Sequence, residues 1–293
     1  MPTVKSIFDK RPRPLDSFIH GIIYFCASIS IFLLAGIVGY VAVRGISSVN
    51  WSFLTSVTSA IKGTFGIAGH IVNTLYIIIL TLIIAIPIGV GAAIYLNEYA
   101  KPGKLVGLIE FTTETLAGIP SIIFGLFGYV FFGITLNLGY SILTGSLTLA
   151  LMVLPLITRN TQEALKSVPG SYRSGALGIG ATKWYMIRTI LLPSAMPGII
   201  TGVILSVGRI VGESAALLFT AGSGHLLPKL GDYGEGLFDK VLQPGGTLTI
   251  QLFLSMEKAE YDEAFGIAFV LLIIVFGINM LTKYLSRKFN VNK

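Results

Sequence analysis

Between Thr115 and Thr158 the chain carries no Asp, Glu, Lys or Arg for 44 residues. A helix crosses the roughly 30 Å of bilayer hydrocarbon in about 20 residues. The run is therefore long enough for two crossings, with Asn137, Leu138 and Gly139 as the turn between them. The rest of the chain agrees. It is 53% hydrophobic and 12% charged, about half the usual ~25% charged share of a soluble chain. Too few charges remain to cover a water-soluble surface. The 34 glycines suit close approach of helices in lipid.

The same criterion finds four more spans. Gly21 to Val43 is the first, too long for a signal-peptide apolar core of about 7–15 residues and read as an uncleaved helix. The second lies within Gly63 to Asn97, apolar from Ile71 to Leu96 and kinked at Pro87. The fifth runs from Leu192 to Ala221 and contains Arg209 and Glu213; the sixth is Ala264 to Thr282. The predicted fold is all-α, with six transmembrane helices. Residues 1–19 are an N-terminal tail, 20–283 the membrane domain and 284–293 a C-terminal tail, with long connections at about 159–191 and 222–263.

Charge orients the spans. The tails and the 98–114 and 159–188 loops hold fifteen Lys and Arg, against five on the other side. The positive-inside rule places both termini in the cytoplasm. The net charge of +7 is thereby a topology signal, and a nucleic-acid partner is not expected. The 222–263 loop, broken up by Pro228, Gly231, Gly234, Gly236, Pro244 and Gly245, is external and acidic. That outer surface would repel a free dianion, which fits delivery by a separate binding protein.

Chemistry-bearing motifs are sparse. Cys26 is a single cysteine, and His20, His70 and His225 show no ligand spacing. The chain has no HExxH, no GxSxG and no GxxxxGK[ST]. The expectation is a non-catalytic subunit without a cofactor of its own. ATP and Mg would be bound by a partner.

The informative stretch is the 159–191 loop. Pro169 opens a short helix. Ala176, Gly180, Trp184 and Ile187 recur at helical spacing and predict one face with a small groove and an aromatic knob. Lys183 and Arg188 lie elsewhere. Pro193 marks the return toward the membrane, with Pro197 a turn later.

This stretch resembles the EAA signature of bacterial ABC importer permeases. Ile190, Leu192 and Pro193 fill its I-x-L-P, and Gly180 is its glycine. Its E-A-A falls on Ser174, Gly175 and Ala176, so two of the three positions depart. Three further segments resemble phosphate-specific (Pst) permeases: Glu163–Pro169, Leu177–Trp184 and Leu116–Gly128. So does Gly208–Ala221, whose Leu217-Leu-Phe-Thr-Ala221 ending is more PstA-like than PstC-like, as is the Asn279–Phe289 stretch. The resemblance implies a type I permease in a bacterial plasma (inner) membrane. Implied partners are a homologous PstC-like permease, a PstB-like ATPase dimer docking on the 174–193 stretch, a PstS-like extracytoplasmic phosphate-binding protein and inorganic phosphate.

Arg209 and Glu213 stand out because an ion at mid-span costs about 2.5–3.5 kcal/mol on insertion scales and should face an interior or a cavity. One reading is that Arg209 meets the anion in the translocation path while Glu213, four residues on, holds and partly neutralises it. Guanidinium suits phosphate because its planar donors match two oxygens. The other is an i,i+4 pair bracing two helices. Ser214, Asn73, Thr74 and Ser121 are further pathway candidates; helix packing accounts for each equally well. Glu98, Glu110 and Glu114 read as a solvated loop. Rival functions are a permease for sulfate, thiosulfate, molybdate or phosphonate, a membrane enzyme, and a phosphate-sensing scaffold.

Overall fold

The computed structural model describes residues 14–59, 64–101, 103–227, 236 and 238–288. Most of the predicted N-terminal tail, half of the C-terminal one, and Pro228, Gly231 and Gly234 of the long loop lie outside these residues. The chain is a helical bundle in the order α1 (Pro14–Ile46), α2 (Trp51–Thr55), β1 (Val57–Ser59), β2 (Thr64–Ile67), α3 (Ala68–Ile94), α4 (Lys104–Gly118), α5 (Ser121–Gly128), α6 (Ile142–Lys166), α7 (Gly170–Gly178), α8 (Lys183–Met186), α9 (Leu192–Gly212), α10 (Ala215–Thr220), α11 (Leu248–Glu257) and α12 (Tyr261–Lys288). Among these residues, five helical segments are long and apolar enough to cross a membrane, and a bent pair makes a sixth.

The predicted spans are found with revised ends. The first extends to Pro14–Ile46. The second begins at Ala68, after residues 64–67 form β2, antiparallel to β1, and runs to Tyr99. This ribbon is the exception to an all-α chain. Pro87 lies inside α3, which continues to Ile94 and closes in a π-helical turn over Tyr95–Tyr99.

The third span is more deeply altered. It starts at Lys104, well before the uncharged run, and breaks at Ile119–Pro120, where α4 and α5 meet at 103°. Proline cannot donate to the ladder and pushes the preceding residue out of the helical region; Ile119 accordingly has ψ 132°. The turn before α6 falls where expected, with Asn137 at φ 61° and Gly139 at φ 58°. Ser141 then caps α6, its hydroxyl accepting from Thr144 N.

The core forms where α6 packs between α3 and α9, around Ile77, Leu149, Val153, Ile157 and Ile210. Small residues set these approaches: a Cβ on Gly128 would collide with Thr148, and one on Gly125 would lie 2.8 Å from Ala216 Cα. α1 lies outside the core, almost wholly exposed, and meets α12 where Gly45 abuts Phe265 and Phe269.

The bundle has two distinct ends. At the basic end, the last turn of α3, the C-terminus of α6, and α7 and α8 come together. At the opposite end, the starts of α3, α6 and α11 gather around residues 220–224 and 243–248. Among its described residues, the segment expected as one long loop contains α11 and a 3-10 turn over Asp239–Leu242.

Candidate functional site

The fifth span does not run through Arg209 and Glu213 as one helix. It ends at Gly212, and Glu213 is extended, with ψ 119°. The Glu213 carboxylate turns forward: Oε1 accepts from Ala216 N at 3.0 Å, capping the short α10. Thr249 on α11 pins the same residue by donating to the Glu213 carbonyl at 3.2 Å. The expected i,i+4 face is thereby corrected. The helix stops between the two residues, and among the described residues no ion pair joins them.

Arg209 is half-buried, three residues from the end of α9, and forms no hydrogen bond or ion pair with any described residue. At 100° per residue, it borders a stripe of exposed positions, Thr201, Leu205, Gly208 and Gly212. Ser214 is the N-cap of α10 with no side-chain capping bond, and is half-buried. Ser121 opens α5, also half-buried. The close contact of Gly125 with Ala216 packs α5 on α10, so both serines stand on short helices next to the break.

Asn73 and Thr74 are elsewhere in function. Both are sealed inside the chain, at 0% and 2% exposure. Asn73 Nδ2 donates to the carbonyls of Gly224 (2.9 Å) and Gly246 (3.1 Å). Thr74 Oγ1 donates to His70 O and accepts from Leu248 N at 3.0 Å. His70 Nδ1 lies 3.0 Å from Gly246 O. These side chains hold Gly224, Gly246 and Leu248 onto α3. With their polar groups turned inward, the packing reading fits them and a path-lining role does not.

Lys240, counted among the exposed charges of that segment, is 1% exposed. Among the described residues its Nζ has one bond, to Pro244 O at 3.5 Å. Burial pushes its pKa below the ordinary lysine value.

At the basic end, the predicted single face of Ala176, Gly180, Trp184 and Ile187 is also corrected. Gly180 has φ +85° and ends α7. Thr182 then caps α8, its hydroxyl accepting from Tyr185 N. Ala176 and Ile187 point inward, while Trp184 is exposed. Ser174 and Gly175 are exposed on α7, and Ser174 Oγ bonds back to the Gly170 and Ser171 carbonyls. Ile190, in a π-helical turn, and Leu192 and Pro193, opening α9, are half-buried. Tyr172, Leu177, Ile179, Trp184 and Tyr185 leave this end with an exposed apolar and aromatic surface.

Glu98 is not a solvated residue. Its side chain is 5% exposed and pairs with Arg173 at 2.8 Å. Arg173 was not a candidate in the sequence. It lies 75 positions from Glu98, and no spacing rule connects them. Glu110 and Glu114 are exposed, with Glu114 at 3.5 Å from Arg159, but they lie on helix α4 and not in a loop.

Among the described residues, no group of three or more His, Cys, Asp or Glu could hold a metal ion. The described residues thus place a half-buried cation beside an interrupted span, and an exposed apolar and aromatic surface at the basic end.

Comparison with known proteins agrees. The family described as "Binding-protein-dependent transport system inner membrane component" matches residues 85–291. The Bacillus subtilis (strain 168) "Probable ABC transporter permease protein YqgI" is 35% identical over 280 residues, covering 92% of this chain and 95% of that protein. The Mycobacterium bovis "Phosphate transport system permease protein PstA 2" is 32% identical over 259 residues, covering 88% of this chain and 83% of that one. A chain of a bacterial ABC transporter involved in the import of alginate shares the fold with a TM-score of 0.65 at 15% identity, over 96% of this chain and 98% of that chain. The chain belongs to the family of binding-protein-dependent transport system inner membrane components, and is a multi-pass, non-catalytic permease subunit of an ABC importer.

Proposed function

We propose that the imported substrate is inorganic phosphate and that Arg209 meets it on the way through the membrane. The observation that carries this is a guanidinium on a spanning helix, half-buried, with no acidic partner among the described residues, beside an exposed stripe of α9. Such a cation in a low-dielectric setting is satisfied by an anion that visits it. The several PstA-named relatives at 32–35% identity point to the same substrate.

In this reading the exposed stripe of α9 faces a homologous permease, and the path runs between the two. Both termini are cytoplasmic in this reading, which the distribution of Lys and Arg supports. The α7–α8 surface docks on an ATPase dimer that holds ATP and Mg. A binding protein delivers phosphate at the opposite end. Closure of the ATPase moves α7 and α8 and rocks the spans, exposing Arg209 alternately to each side.

Sulfate, thiosulfate, molybdate and phosphonate importers are built on the same physics. Phosphate differs from sulfate at neutral pH in having a proton to donate. Glu213 keeps Oε2 free of hydrogen bonds to described residues, so a carboxylate acceptor remains at the break. The test is ATP-dependent uptake of labelled phosphate by the reconstituted importer with unlabelled sulfate or molybdate in excess. Uptake that ignores both supports phosphate. Uptake abolished by either moves the chain to that oxyanion.

A further inference from the structure

The Glu98–Arg173 pair stands where three elements meet. Arg173 Nε and Nη2 contact both Glu98 oxygens, at 3.2, 3.4 and 2.8 Å. Nη2 also donates to Leu165 O at 2.9 Å, and Nη1 to Val168 O at 3.0 Å. Leu165 O, in the last turn of α6, already accepts from Val168 N at 3.3 Å, and Val168 lies just past the helix end, so the guanidinium adds a second donor to the α6 terminus. One guanidinium on α7 thus closes α6 and grips the last turn of α3. Asn97 Nδ2 orients the carboxylate from the other side, at 2.6 Å from Oε1. A second cation repeats the contact: Lys183 on α8 sits 4.8 Å from the centre of the Tyr99 ring.

The far end of the same helix is equally committed. α3 with its terminal turn is 32 residues long, roughly 48 Å at 1.5 Å per residue. Its first two turns carry His70, Asn73 and Thr74, bonded to Gly224, Gly246 and Leu248. The helix therefore joins the exposed α7–α8 surface to the segment at the opposite end.

We propose that Glu98 and Arg173 are positioning residues that fasten α7 to α3, so that movement imposed on α7 travels along α3 to the segment held by His70, Asn73 and Thr74. The proposal rests on the reading of α7 and α8 as the ATPase dock. An exposed ion pair would slip under load, since such pairs contribute little. This one is forked, largely desolvated at Glu98 and tied to two carbonyls.

The experiment uses the complete importer in lipid nanodiscs, in a Cys26→Ser background. Spin labels are placed at exposed Ile83 on α3 and exposed Ser171 on α7. The expected label distance is unchanged between the nucleotide-free and ATP-trapped states. In Glu98→Ala and Arg173→Lys it shifts or broadens on ATP. Phosphate taken up per ATP hydrolysed falls roughly tenfold in both variants, with ATP hydrolysis retained. Glu98→Gln, whose amide oxygen still accepts from the guanidinium, restores most of it. A label distance that changes on ATP in the unmodified pair overturns the proposal, as does unaltered uptake per ATP in both variants. If the unmodified importer takes up no phosphate, the substrate reading fails, and the label distance still decides the fastening.

Discussion

Asn73 Nδ2 donates to the Gly246 carbonyl across 3.1 Å, joining α3 to a segment 173 positions away with no solvent access to the side chain. The same amide serves Gly224. Asn73→Ala removes both bonds, while Gly224 O keeps the Gly246 N–H and Gly246 O keeps His70 Nδ1, so the loss is about 0.5–1.5 kcal/mol per hydrogen bond. The expected outcome is a lower melting temperature and faster proteolysis within 222–247, measured on the assembled complex. Asn73→Ala with wild-type melting and proteolysis would show that the segment is held by other means.

Helix approach gives a second prediction. Gly125→Ala places a methyl 2.8 Å from Ala216 Cα and 3.1 Å from its carbonyl, both backbone atoms that cannot rotate away. The cost is about 1–3 kcal/mol, read as lost thermal stability. Gly91→Ala, in α3 with nothing within 4 Å of the added methyl, is the control and should be neutral.

Lys240 predicts a pH signature. Its pKa is lowered by burial, so the folded chain disfavours the ammonium, and the penalty is fully present below the folded pKa. It is relieved as pH rises from there toward the unfolded value of 10.5. Lys240→Met, of similar length, should stabilise the complex by about 1 kcal/mol at pH 7. The gain should shrink as pH climbs toward 10. Melting curves across that range check it; a gain that grows with pH would contradict the sign.

Much of the architecture is legible in sequence because lipid imposes a simple rule. Uncharged runs of span length mark the first, second, fourth and sixth spans, and Asn137 and Gly139 mark the turn by their left-handed backbone. The rule fails where structure depends on something other than average polarity. α4 begins at Lys104 and carries Glu110 and Glu114, so counting charges cuts it off. The stop at Gly212 is invisible because Val211, Ala215 and Ala216 are as apolar as a continuing helix; Glu213 reads as a buried charge when it is a cap. α11 hides in a segment classified as loop by its glycines and prolines. Gly180 punctuates α7, but the apparent 3.6 period across it suggests continuity. Glu98 and Arg173 look solvated one at a time, and only tertiary contact shows their pairing.

The most direct test of the account is phosphate uptake by the reconstituted importer carrying Arg209→Gln, with assembly and melting temperature matched to the parent. Losing a charge-assisted contact worth about 1.5–3 kcal/mol predicts a fall in uptake of roughly ten- to a hundredfold, with the complex intact. Undiminished uptake in Arg209→Gln would contradict the account and leave Arg209 as a brace between helices.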